Sequence, residues 1–582
     1  MRAGARRSTW PGNTGTTISS GFSSQQTELG PLREPVEAAL RRLRAASAVE
    51  RLWARDGALW SIDPQVAQTI EHRLGWLSLP SPDAAHSAVA CAAEIIRLDM
   101  GREDAGRHII LLGMGGSSLA PEVMAQALPR TAIPFTVLDS TSPAAIQAVE
   151  ARGLDGAIFI VSSKSGGTIE TRTLAAHFLG RAPEAAFLAI TDPGTPLSRG
   201  AAAPPYRGVI HNDPDIGGRY SALSHFGVVP AGLCGVDVRT LVARAAAMAE
   251  ACRSTSLEGN PGAALGAVLG AGAQGGRDKV TLILSPALAG LGAWIEQLLA
   301  ESTGKGGRGL LPVDGETAGT PDDHGPDRLF VQIALASARG RGDYEIARLA
   351  RSGHPVVRLT LTDPHDLGAE FVRWEVATAL AGFLMGINPF DEPNVQQSKD
   401  VTQELLATYR RDGRFPERAP TLEEEGIVLY GDGEERPAGG IGAAIASFLD
   451  GAAPPAYVAL LAFLPRTTPS AQALTAMRKA VRERFRVATT VGIGPRYLHS
   501  TGQYFKGGPP HGRFLIFTAD ESADLAIPGE DYTFGTLLRA QALGDVQALR
   551  AGGRRVLRVH LREPSGLESV ATLLRSALAR TG

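Results

Sequence analysis

The sequence predicts an α/β protein: two doubly wound parallel-sheet domains behind a helical segment, and a third α/β domain at the C-terminus. Three observations predict it. Short apolar runs alternate with helical periodicity from about residue 105, the rhythm restarts at Lys279, and a further block follows a Pro/Gly-rich charged stretch. A chain of 582 residues also exceeds one core, since domains usually hold about 100–200 residues.

Residues 1–30, rich in Ser, Thr and Gly, read as a disordered tail lacking the apolar stretch of a signal peptide. Residues 31–104 form the helical segment: Val36, Leu40 and Leu43, then Val49, Leu52 and Trp53, recur at helical spacing, and Pro80 and Pro82 close the pattern. The first α/β domain, 105–237, has strand-like runs His108–Leu112, Phe135–Leu138, Ala157–Ser162 and Phe187–Ile190, each followed by Gly, Ser, Pro or Asp. The second, 238–410, opens with a helix Val238–Cys252 and continues through Lys279–Ser285, Leu310–Val313, Leu329–Leu335 and Pro355–Leu361. Residues 411–440 read as a linker with extended structure. The C-terminal domain, 441–582, has a buried-type strand Tyr457–Leu464, a helix through Leu474, Met477, Ala480 and Phe485, and strands near Arg513–Thr518 and Val556–Leu561.

Composition narrows the function. With 58 basic and 60 acidic residues, no global field draws nucleic acid or an anionic membrane, so anion binding must be local. No apolar run approaches the ~20 residues that span a bilayer. Cys91, Cys234 and Cys252 are neither even in number nor spaced as zinc ligands, so no metal is expected, and a reducing cytoplasm fits.

Five segments carry possible chemistry. In GMGGSSLAPEVMAQAL a strand runs into Gly113, Gly115, Gly116 and Ser117 before a helix, placing backbone N–H groups and a helix N-terminus where an anion could sit. It is not a Walker loop; Asp139, about 20 residues on at a strand end, keeps nucleotide binding open, and a plain tight turn is the other reading. VSSKSGGTIETRTL repeats the arrangement, with Ser163, Lys164, Ser165 and Thr168 forming either a phosphate nest or an N-cap cluster. Two such loops after two strands of one sheet favour a ligand, because ligands bind at the carboxyl ends of parallel strands.

In DIGGRYSALSHFG, Gly217 and Gly218 precede Arg219, a cation suited to a developing oxyanion or to a surface salt bridge. In WIEQLLAESTGKGG, Gln297 and Glu301 share a helix face at i, i+4. Glu301 lies in the final turn, where the dipole and partial burial would raise its pKa toward a useful base; an exposed glutamate is the bland alternative. In ATALAGFLMGINPFDEPNVQQSK, a break at Asn388–Phe390 separates an apolar helix from a short second helix ending in Lys399.

In this order, over roughly residues 35–400, the five segments resemble the phosphoglucose isomerase family. DIGGRYSALSHFG is similar to its first signature and GFLMGINPFDEPNVQQSK to its second. The resemblance implies two sugar-isomerase (SIS) domains that interconvert glucose 6-phosphate and fructose 6-phosphate by ring opening and a cis-enediol, with no cofactor and no metal. It implies phosphate binding by Gly116, Ser117, Ser163, Lys164, Ser165 and Thr168, stabilisation by Gly218 and Arg219, substrate binding by Gln297, base catalysis by Glu301, and ring opening by Lys399. It also implies a homodimer. Two positions depart: Glu392 stands where the family has glutamine, and Arg328 where it has the ring-opening histidine, leaving His324, four residues upstream, as the candidate. HSTGQYFKGGPPHGRFLIFT resembles instead the end of bacterial transaldolase/phosphoglucose isomerase fusions, here without room for the transaldolase barrel. The other readings are a non-catalytic phosphosugar-binding regulator, an isomerase that also takes mannose 6-phosphate, and a C-terminal domain that serves assembly.

Overall fold

The computed structural model describes residues 16–19, 23–97, 108–130, 133–338, 340, 342–431 and 439–580. The chain begins with a hairpin, β1 (Thr16–Ser19) and β2 (Ser23–Glu28), followed by short helices from Gly30 to Ser78 and a longer one, Pro82–Arg97. The first sheet holds β3 (His108–Gly113), β4 (Phe135–Leu138), β5 (Ala157–Ser162), β6 (Ala186–Thr191) and β7 (Tyr206–His211), all parallel in the order β4-β3-β5-β6-β7. Strands β3, β5 and β6 are buried throughout, as expected where helices cover both faces.

The second sheet contains β8 (Lys279–Leu284), β9 (Leu311–Val313), β10 (Arg328–Leu335) and β11 (Val356–Leu361), in the order β1-β2-β11-β10-β8-β9. The third contains β12 (Leu422–Glu424), β13 (Ile427–Tyr430), β14 (Tyr457–Phe463), β15 (Ala488–Ile493), β16 (Gly512–Ala519) and β17 (Arg555–Leu561), in the order β12-β13-β17-β16-β14-β15. These two sheets have the same winding. In each, four parallel strands are closed at one edge by an antiparallel hairpin that precedes them in the chain. The hairpins cover the edge strands β11 and β17, whose free backbone groups would otherwise invite pairing with another chain.

Those hairpins correct one expectation and sharpen another. The disordered tail does not extend over residues 23–28, because β2 pairs with β11 from Val356 to Leu361, and Gln25 and Thr27 are buried; residues 1–15 and 20–22 lie outside the described residues. At 411–440 the expected extended structure takes the form of the hairpin β12–β13, whose Ile427 and Leu429 pack on the third core, so this stretch is part of the third sheet as well as a connection; 432–438 lie outside the described residues. The first hairpin is polar enough to read as a loop, Ser23–Glu28 being SSQQTE, and the sheet partners of both lie far away in sequence. Strands β7 and β15 were likewise not signalled, because Gly208 interrupts one and Thr489, Thr490 and Gly492 dilute the other. The helix expected to end at Lys399 instead runs from Val395 to Asp412 and packs on helix Phe534–Ala551 of the third unit.

Among the described residues, no helix is long and apolar enough to cross a membrane.

Candidate active site

The crossovers leaving β3 and β5 depart in opposite directions, which opens a crevice at the strands' carboxyl ends. Both loops expected to bind an anion border it. Gly113–Ser118 follows β3, Ser163–Thr168 follows β5, and the Ser162 hydroxyl ties them by donating to the backbone oxygen of Ser117 at 3.0 Å. A Cβ on Gly116 would lie 1.9 Å from the carbonyl oxygen of Gly218, so only glycine lets this loop seat on the Gly217–Arg219 turn. Ser163 and Thr168 pair through their hydroxyls at 3.1 Å, and Thr168 makes no side-chain cap bond, so it is not a simple N-cap. Lys164 is held by Asp192 and the Pro214 carbonyl (2.9 Å), whereas Ser165 is exposed.

Glu301 enters from helix Leu291–Thr303. The residue is 8 % exposed, and its carboxylate accepts a hydrogen bond from Gln297 Nε2 at 3.1 Å and lies 3.9 Å from Arg219 Nη1. Arg219 is itself buried and fully engaged: Nε donates to Ser302 (2.8 Å), Nη2 to the carbonyls of Pro389 (2.8 Å) and Asp391 (2.9 Å), and Nη1 to Glu392 (2.9 Å). Burial pushes Glu301 up to about 7; Arg219 opposes the rise, and the like charge of Glu392 adds to it. Burial acts upward on Glu392 too, but the charge and hydrogen bond of Arg219 win and hold it below the usual carboxylate range. Lys305, just past the helix, donates to Asn388 O and Asp391 Oδ1 at 2.6 Å each, and burial with Arg219 nearby depresses it to about 8.

The third unit closes the group. Gln297 Nε2 also donates to the backbone oxygen of His499 at 2.9 Å, and the His499 ring meets Glu170 through Nε2 at 2.9 Å. Glu170, in the first turn after the Ser163–Thr168 loop, takes a second hydrogen bond from Gln541 at 2.7 Å. Burial acts to raise its pKa, yet His499, with help from Lys399, brings it below the ordinary value. Gln503 fastens the same segment by donating to the carbonyl of Gly304 (2.8 Å) and accepting from the backbone of Asn394 (2.9 Å). The arrangement is a buried carboxylate, a buried guanidinium and two Gly/Ser-rich loops around one crevice.

Sequence comparison agrees with this geometry. A family model described as phosphoglucose isomerase matches residues 101–308. A glucose-6-phosphate isomerase from Synechococcus sp. strain JA-2-3B'a(2-13) is 30 % identical over 410 residues, covering 61 % of this chain and 76 % of the relative. The chain belongs to the phosphoglucose isomerase family. A glucose-6-phosphate isomerase from Rubrobacter xylanophilus is 29 % identical over 417 residues, 61 % of this chain and 92 % of the relative. Among solved structures, a glucose-6-phosphate isomerase from Chlamydia trachomatis shares the fold, with a TM-score of 0.54, 17 % identity, and coverage of 69 % of this chain and 91 % of that one.

Within this phosphoglucose isomerase scaffold, the structure brings together Gly116, Ser117, Ser163, Thr168, Gly218, Arg219, Gln297, Glu301 and Glu392. Lys399 stands exposed in the first turns of its helix, close enough for its charge to act on Glu170. His324 does not join them. Its ring packs against Phe330 and His354, its Nε2 meets the Ala318 carbonyl at 2.6 Å, and burial depresses it to about 4. Arg328 is also remote in its contacts, bonding to Glu316, Thr281 and the Val487 carbonyl. The residues that sequence reasoning missed are Glu170, Lys305 and His499. Glu170 had a readable signal, an acid directly following the hydroxyl-rich loop; His499 had none, because its partners are more than 200 positions away in sequence.

Proposed function

We propose that this chain interconverts glucose 6-phosphate and fructose 6-phosphate, the activity for which the Synechococcus and Rubrobacter relatives are named. One observation carries the reading: a buried glutamate with its pKa pushed up to about 7, between a glutamine and an arginine, beside two phosphate-type loops. A general base works best when its pKa lies near the operating pH.

In this mechanism the Gly116–Ser117 and Ser163–Thr168 loops hold the phosphate. Lys399 assists opening of the sugar ring. Glu301 takes the proton from C2 of the open-chain aldose and returns it to C1 through a cis-enediol, while Arg219 stabilises the negative oxygen that forms. Gln297 keeps the carboxylate aimed, and Glu392 tempers the charge of Arg219. The 499–518 segment supports placing the chain with the fusion-type isomerases, and the reading includes a cytoplasmic homodimer.

The test is incubation of the purified chain with fructose 6-phosphate in deuterium oxide, followed by NMR. Glucose 6-phosphate carrying deuterium at C2 is expected, because a carboxylic acid exchanges its proton with solvent during the enediol's lifetime. Binding without turnover would instead establish a phosphosugar-binding regulator.

A further inference from the structure

The mechanism above leaves the acid that opens the sugar ring only partly assigned. His324 and Arg328, the two candidates near the expected position, are both committed elsewhere. A further titratable group joined to Glu301 through Gln297 comes from residues beyond those matched by the family model, between β15 and the short helix Gly502–Gly507.

We propose that His499 is the ring-opening acid and that Glu170 is its positioning residue, so that the third unit completes the active site within a single chain. This rests on the isomerase reading of the same site. The imidazole is held through Nε2 by Glu170 at 2.9 Å, and its side chain stays 16 % exposed. Its Nδ1 has no hydrogen bond among the described residues. Glu170 is 3 % exposed, held by Gln541, which in turn accepts from Thr141 at 2.7 Å. A carboxylate so braced sets the ring's orientation and leaves Nδ1 as the nitrogen turned away from Glu170.

The main chain supplies the second argument. Gln297 Nε2 bonds both Glu301 (3.1 Å) and the carbonyl of His499 (2.9 Å), so one amide fixes the distance between base and acid. Gly115, at φ +53°, leaves room for this: a Cβ there would approach Gln297 Nε2 to 2.7 Å and the His499 carbonyl to 2.9 Å. The acid therefore sits against the phosphate loop and the base together. The segment is anchored on both sides, by Arg496 to Asp139 at 3.1 Å and by Tyr497 to Asp545 at 2.6 Å.

The step balances. In the pyranose, the C1–O5 bond breaks with its electron pair going to O5, which takes the proton from Nδ1 of His499. O1 gives its proton to solvent, its lone pair forms the C1=O1 double bond, and the neutral imidazole recovers a proton from solvent. Reversal recloses the ring on either face, so ring opening alone exchanges the anomers at C1.

That separates His499 from Glu301 experimentally. Anomer exchange of glucose 6-phosphate is followed by two-dimensional NMR, and isomerisation by a coupled assay, on the full chain. Glu301→Gln should lower isomerisation by about 10²–10⁴-fold while anomer exchange persists. His499→Ala should slow both by about 10²–10⁴-fold with an unchanged melting temperature, and added imidazole should restore part of the exchange. Glu170→Gln, which keeps the histidine, should reduce exchange by less and displace its pH profile, with Glu170→Asp recovering the loss. Wild-type anomer exchange in a folded His499→Ala chain would overturn the proposal, as would a Glu170→Gln pH profile identical to wild type. If the wild-type chain exchanges anomers without isomerising, the isomerase reading fails while the His499 assignment still stands or falls on its own variant.

Discussion

Two buried glutamates, only fifteen positions apart, face arginines and behave in opposite ways. Glu301 is pushed up to about 7, whereas Glu316 is driven down to about 2. Burial raises both. What differs is the number of donors aimed at each carboxylate. Glu316 accepts from Arg328 Nη1 at 2.7 Å on one oxygen and from the Thr489 hydroxyl at 2.7 Å on the other, with Arg478 adding its charge. Glu301 has one amide at 3.1 Å and a guanidinium at 3.9 Å whose nearest acid is Glu392. A fully paired carboxylate is a structural strut between β10 and β15. An underpaired one remains a base.

The largest expected effect breaks the first half of that comparison. Glu301→Gln should lower the isomerisation rate by about 10²–10⁴-fold, the usual worth of a positioned general base, with the fold intact by circular dichroism. Near-normal turnover would remove Glu301 from the mechanism. Arg328→Ala should act on the other half. It strands Glu316 as an uncompensated buried charge, a change that typically costs about 3–5 kcal/mol, so urea unfolding should shift markedly while any surviving folded protein keeps its KM. A Glu316→Gln variant as stable as wild type would show that the pair is dispensable.

How much of this was legible in the sequence follows the same division. The central strands were, because strands such as Ile109–Leu112 and Ile158–Val161 are buried on both faces and must be apolar throughout. The pairing of Gln297 with Glu301 and the nearness of Ser163 to Thr168 were too, since both are local in sequence. The hairpins β1–β2 and β12–β13 were not, for each finds its sheet through strands more than 100 residues away. Arg328 misled for the same reason: its partners Glu316 and Val487 come from a loop and from the third unit, which no local pattern announces. The assignment of His324 failed because nearness in sequence to Arg328 says nothing about which side of β10 a ring will occupy.

The stability of the two glutamates should respond to pH with opposite signs. Glu301 has a folded pKa raised above the ordinary 4.5, so its contribution is fully present below about 4.5 and is lost as pH rises through about 7. Replacing it with glutamine should therefore stabilise the chain above pH 7, on the order of 3 kcal/mol, and the gain should vanish toward pH 4.5. Glu316 has a depressed pKa, so its contribution is present above about 4.5 and is lost as pH falls toward about 2. Melting curves of wild type, Glu301→Gln and Glu316→Gln test both signs, followed from about pH 8.5 down to about 4.5 for Glu301 and on down toward about pH 2 for Glu316, and parallel curves for wild type and Glu301→Gln above pH 4.5 would contradict the raised pKa.

The smallest effect concerns Glu392, which distinguishes the two arginine environments. Its carboxylate raises the pKa of Glu301 in two ways: by direct repulsion, and by drawing Arg219 Nη1 to 2.9 Å so that the guanidinium stands 3.9 Å from the base. Glu392→Gln removes the repulsion and frees positive charge to face Glu301, and both changes lower its pKa. The acid limb of the pH–rate profile, expected near 7 in the wild type, should move down by about one unit, equivalent to about 1.4 kcal/mol of differential interaction. At neutral pH the variant would then hold more Glu301 ionised but make it a weaker base, so the maximal rate should change little or fall. A limb that stays in place would mean that Arg219, rather than Glu392, sets the protonation of the base.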